Sequence, residues 1–142
     1  MKTLFPGLRV TDLDVSLAFY EAVGWRLLGT VDIGGGARLA ALGDPGRPEV
    51  VLELVHRPDG GPIDPGGLDH LAVQVDDLEA TVAGLAAAGL EPGPVEQPGG
   101  ADGPRTAWLT DPDGYRIELV QWPAGHGVAM TEADFAPPTQ EA

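Results

Sequence analysis

Two glutamates and a histidine occupy related positions in a chain that repeats itself at an offset of 65 residues. Glu53-Leu54-Val55 returns as Glu118-Leu119-Val120, and His70 falls at the position that Phe5 holds in the first copy. Internal repetition sets an architecture before any local prediction is made. Two carboxylates and one imidazole suit Zn²⁺, Ni²⁺, Mn²⁺ or Fe²⁺, and a carboxylate released from such a metal can move a proton. Three of the four related positions could therefore bind a metal, and the fourth holds an aromatic residue.

The period of a β-strand decides which side chains share a face with these residues. In the last strand of each half, the alternate residues that share one side of the strand are apolar: Leu52, Leu54, Ile117 and Leu119. We call the opposite side of the sheet the mixed face; it carries Phe5, Arg9, Glu53, His70, Gln74, Arg116 and Glu118. Such a face is either exposed to solvent or the wall of a pocket. In a pocket, Arg9 and Gln74 suit a polar wall, and Trp108 suits a contact with substrate.

Each of these residues also has a purely structural explanation. A single glutamate in an apolar strand commonly faces solvent, and a single histidine is commonly a hydrogen-bonded core residue. A former metal site can also persist as a hydrogen-bonded network without a metal. Arg116 is expected to pair with a carboxylate of this acidic chain. Arg105, Tyr115 and Trp122 fit packing as well as they fit substrate contact.

The two halves share one order of predicted elements. Each begins with an apolar strand, at 4–10 and at 70–75, and continues into an amphipathic helix. Three further strands are predicted at 25–33, 37–42 and 49–56 in the first half, and at 90–97, 105–110 and 115–122 in the second. The pattern predicts an α+β protein built from two tandem βαβββ modules, at 1–56 and 69–123. A linker at 57–68 and a C-terminal tail at 124–142 complete the chain.

Polar residues mark the predicted helix starts, and glycines mark the helix ends. Thr11 with Asp14, and Asp76 with Glu79, resemble capping boxes. Gly24 and Gly89 stand where a left-handed C-terminal cap is expected.

Composition excludes several classes of function. Twenty-two acidic residues against eight basic ones give a net charge of −14, which argues against nucleic acid or an anionic membrane as partner. The chain has no cysteine, so disulfides and thiolate metal sites are excluded. No signal-peptide pattern and no apolar run long enough to span a membrane is present, and a cytoplasmic location is therefore expected.

The motifs that carry this repeat resemble those of the vicinal oxygen chelate superfamily, which includes glyoxalase I, extradiol dioxygenases and bleomycin resistance proteins. The resemblance covers roughly residues 3–122 and rests mainly on the joint Val10–Asp14, the run Asp69–Val73 and the closing segment Asp111–Val120. It is closest to glyoxalase I-like proteins. It implies that the two modules form an open, cup-shaped mixed sheet.

The resemblance also implies roles for individual residues. Glu53, His70 and Glu118 match three metal-ligand positions, whereas Phe5 stands where the family normally has histidine or glutamine. Glu118 or Glu53 would be the proton-transferring group, and Arg9 matches an arginine that glyoxalase I uses toward the glutathione carboxylate.

Two functions follow from this resemblance, and a homodimer is expected for both. The first is a metal-dependent lyase or isomerase that acts next to a carbonyl of a small oxygenated substrate. The second takes Phe5 as a sign that no metal binds and predicts an antibiotic-binding protein of the bleomycin resistance type. The site is formed either within one chain or between two chains, and the sequence leaves both arrangements open.

Overall fold

The computed structural model describes residues 1–135, which form two small β-sheets with one helix each. The first sheet has the strand order β1-β4-β3-β2, and the second has the order β5-β7-β6. The first module contains β1 (Gly7–Arg9), α1 (Leu13–Val23), β2 (Arg26–Gly34), β3 (Ala37–Gly43) and β4 (Val50–His56). The second contains β5 (Leu71–Gln74), α2 (Leu78–Ala87), β6 (Arg105–Thr110) and β7 (Arg116–Gln121). The α+β class and the tandem modules are confirmed, but the strands form two separate sheets.

The sequence repeat is visible in the pairing of the strands. Gly7 of β1 lies opposite Glu53 of β4 in a parallel pair, and Ala72 of β5 lies opposite Glu118 of β7 in the same way. These partners keep the 65-residue offset, so both glutamates occupy equivalent positions in their sheets. None of the described helices is long and apolar enough to cross a membrane.

The prediction of a strand at 90–97 is wrong. This segment runs beside β6 but makes only one isolated bridge, between Glu96 and Thr106, and a hydrogen bond from the Gly93 amide to the Trp108 carbonyl. Pro92 and Pro94 flank Gly93. Because proline has no amide hydrogen to donate, a regular ladder cannot form there. The second module therefore has two strands after its helix where the first has three.

The core lies between the helices and the apolar sides of both sheets. The four residues of the predicted apolar parity in β4 and β7 are all buried: Leu52, Leu54, Ile117 and Leu119. Helix α1 contributes Leu13 and Tyr20, and α2 contributes Leu78 and Leu85. This packing confirms the strand parity and leaves the mixed face on the other side.

The helix starts lie one residue later than predicted. Asp12 caps α1 by accepting a hydrogen bond from the Val15 amide at 3.1 Å, and Asp77 caps α2 through the Ala80 amide at 3.0 Å. The Thr11 amide instead donates to the carboxylate of Asp113. When two adjacent residues can both cap a helix, the cap is the one whose side-chain oxygen accepts a hydrogen bond from the amide three residues later. The predicted glycine ends fit the structure, with φ of 135° at Gly24 and 87° at Gly89.

Asp77→Ala is expected to lower the free energy of unfolding by about 1 kcal/mol, because α2 loses its capping acceptor. Urea unfolding followed by circular dichroism measures this loss. Asp76→Ala removes the neighbouring carboxylate and serves as the control, with an expected change below about 0.5 kcal/mol. Equal losses in the two variants would contradict the assignment of the cap.

The two modules are joined by hydrogen bonds from α1 and β1 to the segment before β7. The Tyr20 hydroxyl donates to Asp111 at 2.8 Å, and both residues are buried. The Tyr115 hydroxyl donates to the Arg9 carbonyl at 2.9 Å. Burial raises the pKa of the Asp111 carboxyl, although the Tyr20 hydroxyl and two backbone amides oppose this shift. We call this contact the junction.

Candidate functional site

The mixed face of the second sheet brings together most of the predicted site residues. Ala72, Glu118 and Trp108 pair in one row across β5, β7 and β6, so their side chains share a face. His70 immediately precedes β5 and lies on the same face, since its ring contacts Trp108 edge to face at 5.3 Å between centroids. His70, Trp108 and Glu118 are therefore neighbours on this face.

The imidazole of His70 is oriented by the residue before it. Its Nδ1 lies 2.5 Å from Oδ1 of Asp69. The His70 side chain keeps 35 % of its surface exposed. When Nδ1 donates to the carboxylate, Nε2 carries the lone pair, which is the arrangement of a metal-binding histidine with a supporting carboxylate. The sequence alone did not predict this role of Asp69, although the motif contains the Asp69-His70 pair.

Arg116 stacks on the indole of Trp108. Its guanidinium carbon lies 4.2 Å from the ring centroid. The predicted ion pair with a carboxylate is wrong within residues 1–135, where no salt bridge or hydrogen bond of this side chain is found. The reason is the strand alternation, which places Arg116 and Trp108 on the same face of neighbouring strands.

Glu53 lies on the other sheet. It pairs with Gly7 on one side and Ala41 on the other, and its side chain is partly buried. A Cβ at Gly7 would come 3.9 Å from Oε2 of Glu53, which is an ordinary van der Waals contact. Phe5, partly buried, precedes β1 on the same parity.

Arg9, the predicted contact for a substrate carboxylate, is engaged by the linker. Its guanidinium donates to the carbonyls of Gly61 and Pro62, both at 2.9 Å. A Cβ at Gly60 would come 2.4 Å from Nη1 of Arg9, so a larger residue there would displace the guanidinium. In this structure Arg9 holds the linker against β1.

The three predicted metal ligands do not converge in this structure. Across the described part of the chain, no group of three His, Cys, Asp or Glu side chains is arranged to hold a metal ion. His70 and Glu118 share the second sheet, whereas Glu53 belongs to the first. The donor types fit a divalent metal, but one chain supplies its donors on two separate surfaces.

Gln74 connects the mixed face to the C-terminal segment. Its Oε1 accepts a hydrogen bond from the Trp122 indole at 2.9 Å, and His126 stacks on Trp122 at 4.4 Å. His126 also lies 2.7 Å from Asp134, and hydrogen bonds to the Gly127 carbonyl and Asp134 raise its pKa. The remainder of the predicted tail, 136–142, lies outside the described residues.

A cleft of about 520 Å³ runs along β5 at the boundary between the modules. Its walls are mainly apolar and include Trp25, Val51, Leu71 and Val73. Of the predicted site residues only Gln74 lines it. Ala72, which pairs with Glu118, also lines the cleft, whereas His70, Trp108 and Glu118 do not. We assign the chemistry to these three residues.

Comparison with known proteins identifies the relatives of this fold. Residues 4–119 match the profile of the Glyoxalase/Bleomycin resistance protein/Dioxygenase superfamily. A probable lactoylglutathione lyase of Vibrio parahaemolyticus is 38% identical over 129 residues, which cover 84% of this chain and 90% of the relative.

Two solved structures extend the comparison. The trypanothione-dependent glyoxalase I of Leishmania major superposes with a TM-score of 0.66 at 30% identity, covering 85% of this chain and 86% of that one. An antibiotic-binding protein of Streptomyces sp. CB03234 superposes with a TM-score of 0.67 at 27% identity, covering 87% and 98%. The chain thus resembles enzymes and a binding protein of one fold.

Proposed function

This chain belongs to the glyoxalase/bleomycin resistance protein/dioxygenase superfamily, and on that basis we propose that it is a glyoxalase I-like lyase or isomerase. The observation that carries the proposal is the cluster on the second sheet, where Asp69 orients His70 beside Glu118. Its substrate would be a small molecule with two adjacent oxygens, and its reaction a proton transfer next to a carbonyl. A cytoplasmic location remains a prediction.

The residues that would hold a divalent metal are Glu53, His70 and Glu118. Three protein ligands leave positions open for substrate, as a catalytic site requires. The metal, when bound, would act as a Lewis acid on two adjacent substrate oxygens. Glu118 or Glu53 would accept the proton from the neighbouring carbon and return it. Phe5 and Trp108 would exclude water from the reacting end of the substrate.

We propose that the site is completed between two copies of the chain. Each chain would contribute Glu53 from its first sheet and His70 with Glu118 from its second, to two different sites. The junction supports this arrangement, because it fixes the modules through α1 and leaves Glu53 on a separate sheet. Strand β2 supports it too, since Leu27, Val31 and Ile33 are exposed apolar residues that a second copy would cover.

The thiol partner stays open within this proposal. The names of two relatives indicate glutathione for one and trypanothione for the other. The Arg9 guanidinium is bound to Gly61 and Pro62, so it does not support glutathione recognition here.

Turnover of methylglyoxal–thiol adducts tests the proposal directly. The purified protein, with Ni²⁺, Zn²⁺ or Mn²⁺ added separately, is expected to convert the adduct of glutathione or of trypanothione, as followed by the absorbance of the thioester product. Elemental mass spectrometry of the same samples is expected to find bound metal in the wild type and less in Glu118→Gln. A protein that neither retains nor responds to any of these metals would refute the proposal.

Asp69→Asn is expected to lower metal affinity by about 10–100-fold, because His70 loses the carboxylate that fixes its orientation. Titration with Zn²⁺ against a competing chelator measures the affinity. Asp64→Asn, which alters a linker carboxylate, is the control and is expected to leave the affinity unchanged. Unchanged affinity in Asp69→Asn would remove this residue from the site.

A metal-free antibiotic-binding protein is the second candidate. Phe5 in place of a ligand favours it, and the likeness to the Streptomyces binding protein supports it. An aromatic wall suits a flat ligand, and the charge of −14 attracts a cationic one. Thermal-shift screening distinguishes the candidates, since stabilisation by an antibiotic without any turnover would favour binding.

A further inference from the structure

We infer that Arg116, stacked on Trp108 beside Glu118, binds a carboxylate group of the substrate. The guanidinium carbon lies 4.2 Å from the centre of the Trp108 ring, and the His70 ring approaches the same indole by its edge. A stacked guanidinium is held in position while its N–H groups remain directed outward from the ring. The N–H groups of the Arg116 guanidinium are therefore oriented hydrogen-bond donors on the mixed face.

Arg116 has no anionic partner within residues 1–135, whereas three of the seven arginines pair with a carboxylate. Arg38 pairs with Asp32 at 3.2 Å, Arg47 with Glu49 and Arg105 with Glu79. Arg9 is bound by backbone carbonyls. In a protein with 22 acidic side chains, an exposed arginine that stacks on tryptophan instead of pairing keeps its donors available. A planar guanidinium matches a carboxylate through two parallel hydrogen bonds.

The position of Arg116 on β7 sets the distance between the anion and the reacting carbon. Arg116 and Glu118 are two residues apart on one strand, so their side chains leave the same face about 6–7 Å apart. If Arg116 binds a substrate carboxylate, a substrate carbon three bonds from the carboxylate carbon would lie near Glu118. A single cation matches a monoanion, whereas a phosphate dianion would leave one charge unpaired near Glu118.

The substrate class is thus a short vicinal dicarbonyl compound that carries a carboxylate two carbons from its nearer carbonyl. The identity of the reacting end rests on the proposed function, whereas the contact between Arg116 and the anion does not. The two parts can therefore be tested separately.

Binding of two unreactive diketones tests the anion contact. 4,5-Dioxohexanoate and 2,3-hexanedione have the same carbon chain and the same adjacent carbonyls, and only the former carries a carboxylate. Calorimetric titration is expected to show roughly tenfold tighter binding of the acid by the wild type. Arg116→Gln is expected to bring the two affinities together, whereas Arg57→Gln, an equal charge change on an exposed linker arginine, is expected to preserve the difference.

Equal affinities in the wild type, no measurable binding of the acid, or an unchanged preference in Arg116→Gln would overturn the inference. Turnover forms the second arm, with the glutathione adducts of 4,5-dioxopentanoate and 2-oxopentanal as the matched pair. The acid is expected to have the higher kcat/KM, and Arg116→Gln is expected to remove that preference. If neither adduct reacts, the proposed function fails, and the binding arm alone decides the role of Arg116.

Discussion

Glu118→Gln is expected to lower kcat for the methylglyoxal–thiol adduct by about 10²–10⁴-fold, because the variant keeps the shape of the side chain but cannot take up a proton. The side chain lies on the mixed face next to Trp108 and Ala72, so the substitution leaves the buried side of β7 intact. Steady-state kinetics with the metal-loaded protein measures the loss.

Glu91→Gln is the matched control, since Glu91 is exposed and lies outside the cluster. It is expected to retain wild-type kcat. The unfolding midpoint of Glu118→Gln is expected to stay within a few degrees of the wild type, which separates lost chemistry from lost structure. Full activity in Glu118→Gln would exclude this residue from the reaction.

Tyr20→Phe is expected to lower the free energy of unfolding by about 1–3 kcal/mol. The variant leaves the buried Asp111 carboxylate without its side-chain donor across the junction. Tyr115→Phe removes the other junction hydroxyl, whose acceptor is a backbone carbonyl, and is expected to cost about 0.5–1.5 kcal/mol. Urea unfolding at pH 7 measures both losses.

The loss in Tyr20→Phe is expected to shrink as the pH falls from 7 toward the ordinary pKa of aspartate, about 4. Burial raises the pKa of Asp111, and the Tyr20 hydroxyl lowers it, so its removal raises that pKa further. A raised carboxyl pKa in the folded state favours folding at low pH and loses this contribution as the pH rises through it. The difference between the variant and the wild type should thus be greatest at neutral pH. A pH-independent difference would contradict this account of Asp111.

The sequence was sufficient for the parts of the fold that follow from periodicity. Alternation placed Leu54 and Leu119 in the core, which the structure confirms, and each glutamate lies on the opposite side of its own strand. The sequence did not show that Glu53 and Glu118 belong to two separate sheets. The sequence pattern was insufficient for segment 90–97. Hydrophobic residues there suggested a strand, but Pro92 and Pro94 have no amide hydrogen to donate to a neighbouring strand.

The contacts of the site depended on pairing between strands that the sequence does not specify. The stack of Arg116 on Trp108 depends on the register between β6 and β7. This register differs by two residues from the register between the equivalent strands of the first module, β3 and β4. The engagement of Arg9 by Gly61 and Pro62 requires the path of an irregular linker. Charge alone predicted an ion pair for Arg116, and the resemblance predicted a substrate carboxylate as the partner of Arg9. In the structure, Arg116 stacks on Trp108 and Arg9 binds the linker.

Mixing two inactive variants tests the central claim, an active site shared between two chains. Glu53→Gln and Glu118→Gln are each expected to be inactive alone. When the two variants are mixed in equal amounts and exchange subunits, about half of the dimers contain one chain of each kind. One of the two sites in such a dimer is intact, so the mixture should recover about a quarter of wild-type kcat per chain. A mixture that shows exchanged dimers by mass measurement but no gain in activity would contradict a site built from Glu53 of one chain and Glu118 of the other.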